Sequence, residues 1–278
     1  MEYNEYREAM GSLQLLREDV RFNRDLNLSS IFRYARIITD TIKKQNNLLK
    51  MMQKLRFDGD DYEFTHPVNV AMIAAMIGKW LSMSSNDIYE LACAGLLHDL
   101  GKAKIRDSLL TKKTELTETE LELLRTHPLK GFEYLLENVD LSGACKMAVL
   151  SHHEREDGSG YPYKIKGDNI HLYAKIIAVA DIFDAMTSNR IYSNKTTIML
   201  AAKEIASDSF GLLDPHISQL FFKKLCECCL GSKVVLSNDE IGEIVYISQL
   251  HPFEPLVRCR AGYYDLVKQT DIKIIDII

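Results

Sequence analysis

No stretch of this 278-residue chain approaches the roughly 20 consecutive apolar residues that a membrane-spanning helix requires. The first residues, Met1 to Asp19, are polar and acidic and carry no signal-peptide core, so no membrane partner is expected and the expected location is the cytoplasm. Paired cysteines are missing as well. Cys93, Cys145 and Cys259 are scattered, and only Cys226, Cys228 and Cys229 cluster. A zinc site of the usual form needs a second matching pair. The apolar neighbours Leu225 and Leu230 instead place the cluster in a helix interior, so buried free thiols in a reducing compartment are expected. Nor is there an excess of positive charge. The formal net charge is −5, which gives no reason to expect a nucleic-acid polymer as partner. Internal repeats, low-complexity tracts and flexible linkers are also lacking.

What is present fits an ordinary globular protein: 46% hydrophobic and 26% charged residues, on a chain long enough to bury a sizeable core. Apolar residues recur at helical spacing for most of the length, so the expected fold class is mainly α. Three regions follow from the patterning. Residues 1–60 read as helices, with stripes at Ile31, Tyr34, Ala35 and Ile38 and at Leu48, Leu49, Met52 and Leu55, ending in the Asp58-Gly59-Asp60-Asp61 turn. These helices either pack on the body or pair with a second copy as a homodimer. Residues 61–230 read as a helical body. Asn86 is the expected cap of a helix carrying Ile88, Leu91, Ala92 and Leu96. Thr117 and Glu120 form a capping box opening a helix that runs toward His127. Residues 231–278 read as a small β appendage, with strands at Ile241–Ile247, Leu256–Cys259, Asp265–Val267 and Ile272–Ile275.

The eight histidines carry the chemistry. His152 and His153 are adjacent and precede a loop punctuated by Gly158, Gly160 and Pro162. His98 is followed directly by Asp99, and Asp181 lies inside an apolar helix, where a carboxylate needs a partner. Asp184 is one turn further along the same face. His171 is not expected to be a ligand, and His216 and His251 lie beside prolines as structural or exposed residues. Each remaining histidine alone is more often structural than functional. The ordered set His66, His98-Asp99, His127, His152-His153 and Asp181 is far more specific.

That set resembles the HD-GYP phosphodiesterases, a branch of the HD-domain metal hydrolases. The resemblance covers about residues 62–225. It rests on His98-Asp99-Leu100-Gly101-Lys102, His152-His153-Glu154, Gly158-Ser159-Gly160-Tyr161-Pro162 and Asp181-Ile182-Phe183-Asp184-Ala185, with Thr187, Arg190 and Tyr192 beyond. It implies an all-α HD-domain body that cleaves cyclic di-GMP to linear pGpG, and further toward GMP, through a binuclear centre and a bridging hydroxide. By the same resemblance His66, His98, Asp99 and Asp181 would hold one ion. Asp99, His127, His152 and His153 would hold the second, with Asp99 shared and acting in catalysis. A nitrogen-rich donor set suits two divalent transition-metal ions, iron or manganese, better than magnesium. Lys102 is the expected phosphate contact or proton donor, and Glu154 the acceptor supporting the neighbouring ligands. Tyr161, Arg190 and Lys195 are the expected substrate contacts.

Two departures from the family pattern stand out. Tyr62 occupies the position four residues before His66 where some members carry a glutamate and a third metal, so two metals are expected. After Arg190 the chain reads Ile191-Tyr192-Ser193 where the family has Pro-Tyr and a basic residue, leaving Lys195 as the nearest cation. The competing readings are a non-catalytic cyclic-dinucleotide receptor or interaction module, a hydrolase of a different cyclic dinucleotide, and a di-iron redox enzyme, against which the Gly-Tyr-Pro loop and Arg190 argue.

Overall fold

The centre of the molecule is a helix with no polar side. Helix α3 (Tyr62–Trp80) buries every residue from His66 to Gly78 except the part-buried Asn69, including Met72, Ile73, Met76 and Ile77. A helix apolar all round must be enclosed by others. Here α1 (Tyr3–Arg21), α2 (Ser29–Lys44), α4 (Ser85–Leu97) and α9 (Leu172–Ile191) surround it. In this computed structural model the described residues are 1–45, 47–48, 51, 62–191, 198–208 and 210–277. Between α4 and α9 lie a 3-10 turn at Leu100–Lys104 and the short helices α5 (Asp107–Leu110), α6 (Glu118–Leu124), α7 (His127–Leu135) and α8 (Gly143–Ser151). Helices α10 (Ile198–Asp208) and α11 (Pro215–Glu227) complete the helical body.

The amphipathic stripes of α1 and α2 are spent within the chain. Tyr6, Ala9, Leu13, Leu16 and Val20 of α1, and Ile31, Ala35, Ile38 and Ile42 of α2, join the same core as α3. Burial of each such large side chain contributes about 1.5–3 kcal/mol, which fixes these helices to the body. The second expected stripe and the Asp58–Asp61 turn fall largely outside the described residues; Leu48, which is described, is buried.

The C-terminal region is a five-stranded antiparallel sheet in the order β4-β3-β2-β1-β5. Its strands are β1 (Lys233–Leu236), β2 (Ile241–Tyr246), β3 (Leu256–Cys259), β4 (Gly262–Asp265) and β5 (Ile274–Ile277). Strand β3 lies where the sequence predicts it, β4 begins earlier and β5 runs later. Strand β1 was not expected, because Val234-Val235-Leu236 is too short an apolar run to show alternation. Val234, Leu236, Ile244 and Val257 point inward and join the helical core.

Two local expectations are corrected. The cap of α4 is Ser84, not Asn86: the Ser84 hydroxyl accepts from the Asp87 N–H at 3.1 Å, and Asp87 reaches back to the Ser84 N–H at 3.2 Å. The Thr117–Glu120 capping box forms, but its helix ends at Leu124 instead of continuing to His127. Pro128 cannot donate an N–H, so it sits in the first turn of a new helix, α7.

Candidate metal centre

Three of the histidines are held by one local device. The last carbonyls of a helix have no N–H of their own to accept, so a side chain placed just beyond the helix end can donate to them. His98 follows α4, and its Nδ1 lies 2.8 Å from the Gly95 carbonyl oxygen. His152 follows α8, with Nδ1 at 2.8 Å from the Val149 oxygen. His127 follows α6, with Nδ1 at 2.9 Å from the Leu124 oxygen. A proton on each Nδ1 leaves each Nε2 lone pair facing inward, the arrangement that suits a metal ligand.

His66 differs. It lies inside α3, where the neighbouring carbonyls are occupied by the helix itself, so its Nδ1 crosses to Asp184 Oδ2 at 2.7 Å. Its Nε2 faces Asp181 Oδ1 at 3.0 Å. Burial alone would lower the pKa of this imidazole, but the two carboxylates overcome it and push it up to about 10. Asp181 is held far below the usual carboxylate range, since the hydrogen bond and charge of His66 outweigh its burial. His152 and His153 are driven the other way by burial and stay neutral, as ligands must.

The side chains converge as two groups: Asp99, His127, His152 and His153, and His66, His98 and Asp181, with candidate ligand atoms within 4.8 Å of one another in each. Asp99 lies between them. Its Oδ1 is 3.2 Å from His127 Nε2, and its Oδ2 is 3.4 Å from His98 Nε2 and 3.8 Å from His66 Nε2. His98 Nε2 and Asp99 Oδ1 are buried without a hydrogen-bond partner. Each such atom costs about 1–3 kcal/mol, and a cation in each group would satisfy them. The donor set therefore fits metal ions, with imidazole nitrogens in the majority.

Glycine makes this convergence possible at two places. A Cβ on Gly101 would overlap the carbonyl oxygen of His127 and meet the Gly131 N–H nitrogen at 2.5 Å, so the turn carrying Lys102 packs backbone to backbone on α7. A Cβ on Gly160 would overlap the His153 carbonyl and meet Glu154 Cα at 2.5 Å, so the loop folds back on the histidine pair. That fold-back brings the Tyr161 N–H to 3.2 Å from the His153 oxygen. The Tyr161 ring stacks on His153 with centroids 4.6 Å apart.

Lys102 sits 2.6 Å from Asp99 Oδ2, and the carboxylate raises its pKa against the effect of burial. Glu154 does not support the histidines as expected. Its two oxygens accept the N–H groups of Tyr163 at 2.7 Å and Ile165 at 3.1 Å, so it ties down the loop behind Tyr161. The side chain of Arg190, and Lys195 as a whole, lie outside the described residues. Tyr62 places its hydroxyl 3.2 Å from His66 Nδ1, and the adjacent Glu63 is engaged by Arg17. His171 Nδ1 accepts the Tyr173 N–H at 3.1 Å, and His216 and His251 are exposed, so none of the three joins the cluster.

Sequence reading noted Asp184 without giving it a role, and missed Asn69 and Arg125. Asp184 holds His66, and Asn69 donates to Asp184 Oδ1 at 2.9 Å. Arg125 places its guanidinium carbon 5.8 Å from the centre of the Tyr161 ring, at the rim of the site. Its position two residues before His127 was the available signal.

Among the described residues no helix is long and apolar enough to cross a membrane. The chain is 32% identical over 208 residues to the cyclic di-GMP phosphodiesterase PA4108 of Pseudomonas aeruginosa, covering 75% of this chain and 50% of that protein. It is 36% identical over 177 residues to a cyclic di-GMP phosphodiesterase of Thermotoga maritima, covering 63% and 47%. This chain thus spans about half the length of the curated relatives it matches. Among solved structures, Bd1817, a HDG"Y"P protein from Bdellovibrio bacteriovorus, shares the fold, with a TM-score of 0.62 at 19% identity over 78% of this chain and 70% of that one. Residues 36–217 match the HD domain family. Because that match spans well over half of the chain and takes in every one of the converging histidines and aspartates, the chain belongs to the HD domain family.

Proposed function

We propose that this chain is a metal-dependent phosphodiesterase that opens cyclic di-GMP to linear pGpG, with residues 61–230 as its catalytic body. The observation that carries this reading is the convergence of five histidines on Asp99 and Asp181, beside a wall built by Tyr161. The names of the Pseudomonas aeruginosa and Thermotoga maritima relatives support the same substrate. His66, His98 and Asp181 would hold one divalent ion, and His127, His152 and His153 the second, with Asp99 shared between them. The nitrogen-rich set favours iron or manganese. When bound, two such ions activate water and offset the charge that develops on the phosphoryl oxygens.

The protein's own residues then act as follows. Water oxygen bonds to phosphorus and gives up a proton, the P–O3′ bond breaks, and O3′ takes up a proton. Asp99 fixes the spacing between the two groups. Lys102 remains protonated beside Asp99 and presents its charge to a non-bridging phosphoryl oxygen. Tyr161, backed by His153, offers an aromatic face to a guanine. Arg125 pairs with Glu118 at 3.6 Å on the surface, a weak exposed pair that it would exchange for the second phosphate.

Purified protein loaded with Fe(II) or Mn(II) and given cyclic di-GMP should release pGpG. D99A should abolish turnover while its circular dichroism stays helical. Tight binding of cyclic di-GMP with no linear product would refute the enzyme reading and leave a receptor. Faster cleavage of a mixed or adenine cyclic dinucleotide would replace the substrate.

A further inference from the structure

The hydrogen bonding around His66 does not stop at Asp184. Asn69 Nδ2 donates to Asp184 Oδ1 at 2.9 Å, and Asn69 Oδ1 accepts from the Tyr6 hydroxyl at 2.6 Å. Tyr6 belongs to α1, and α1 lies outside residues 36–217 that match the HD domain family. We propose that α1 is a positioning element of the metal centre, with Tyr6 orienting Asn69, Asn69 orienting Asp184, and Asp184 fixing the ring of His66. The inference rests on the reading of His66 as a metal ligand.

Chemistry determines the polarity of this line. Asp184 is an acceptor only, so it must face the NH2 side of Asn69 and the N–H of His66. The Asn69 oxygen is then left pointing at α1, where it needs a donor, and the Tyr6 hydroxyl supplies it. Tyr6 is 1% exposed and Asp184 fully buried, with the part-buried Asn69 between them. Without the hydroxyl, the Asn69 oxygen loses its donor and only the bond to Asp184 holds the amide, at one end instead of two. The other histidines tied to a carbonyl of their own helix, His98, His127 and His152, need no such outside support.

The rest of α1 is fastened to the same neighbourhood. Arg17 pairs with Glu63 in the first turn of α3, and Arg21 makes a two-pronged pair with Asp107 of α5. Lys104, at the end of the turn carrying Lys102, donates to the Arg21 carbonyl at 3.3 Å and to Asn23 Oδ1 at 2.5 Å. A shift of α1 therefore reaches both His66 and the turn that bears Asp99's lysine partner.

The test is cobalt(II) titration of the full chain followed by visible absorption, with stoichiometry from elemental analysis. Loss of an outlying partner of a metal ligand costs about 10-fold or more in affinity, so Y6F should weaken one of the two binding steps about tenfold and leave the other unchanged. N69A should weaken the same step at least as much, and the double variant should be no worse than N69A alone, because both act through one line. L13A, which removes a buried side chain of α1 away from this line, should lower the melting temperature without moving either step. Y6F binding cobalt like the wild type at both steps, or losses from Y6F and N69A that simply add, would overturn the proposal. Wild-type protein that takes up no cobalt would instead overturn the metal-centre reading, and this inference with it.

Discussion

Replacing Gly101 with alanine should dismantle half of the centre while leaving the fold. The new methyl would overlap the His127 carbonyl oxygen and crowd the Gly131 nitrogen, both backbone atoms that cannot rotate away. Overpacking costs about 1–3 kcal/mol, and a backbone collision belongs at the upper end. About 3 kcal/mol corresponds to a fall of about 6–12 °C in melting temperature for a protein of this size. The strain is relieved only if the 3-10 turn and α7 separate. Separation pulls His127 Nε2 from Asp99 Oδ1, now at 3.2 Å, and from His152 Nε2, now at 3.4 Å. The Asp99–His127–His152–His153 group should therefore lose its ion first. Thermal melts and metal analysis of G101A should show a lower transition and about one ion per chain instead of two. Gly143 is the control, since a methyl there meets open space; G143A in the first turn of α8 should be neutral or gain up to about 1 kcal/mol. A G101A protein with the wild-type melting temperature and a full complement of metal would refute the packing argument.

Three further predictions concern other parts of the molecule. E154A strands the N–H groups of Tyr163 and Ile165, so it should cost about 2 kcal/mol in urea denaturation and speed proteolysis within residues 155–166; equal cleavage rates would show that Glu154 does not tie the loop. R125A should raise KM for cyclic di-GMP about tenfold and change kcat by less than about twofold, the signature of lost uniform binding, and an unchanged KM would remove Arg125 from the substrate contacts. Asp214 caps α11 through the His216 and Ile217 N–H groups, each at 3.0 Å, and pairs with Lys175 at 3.2 Å. Burial opposes the charge of Asp214, but these partners hold its pKa below the ordinary carboxylate value. A depressed folded-state pKa gives a contribution that is full above about pH 4 and lost as pH falls through the folded value. The stability gap between wild type and D214A should accordingly be about 1 kcal/mol at pH 6 and shrink below about pH 4; a gap that widens in acid would contradict the sign.

How far the sequence could be read depended on the range of the interactions involved. Helices with apolar stripes, the Thr117 capping box and strand β3 were legible because their causes lie within a few residues. Strand β1 was not, because Val234-Val235-Leu236 lacks the polar alternation that Arg258 gives β3, and its pairing with β2 and β5 is seen only in the fold. Glu154 was misread for a similar reason. Its neighbours in sequence are the histidines, but its neighbours in space are backbone groups nine and eleven residues on, and only the folded loop shows that.

The same distinction runs through the histidines themselves. His98, His127 and His152 each sit just past a helix end and orient themselves on a carbonyl three residues back, so motif and orientation are written in the same short stretch. His66 has no such free carbonyl behind it, because α3 continues through it. Its orientation is assembled from Asp184, 118 residues later, and through Asn69 from Tyr6, 60 residues earlier than His66 itself. A ligand held by its own helix tolerates movement of distant elements. A ligand held by three other side chains does not, and its geometry changes with whatever moves them. His66 is accordingly the member of the cluster through which a change in α1 would be felt at the centre.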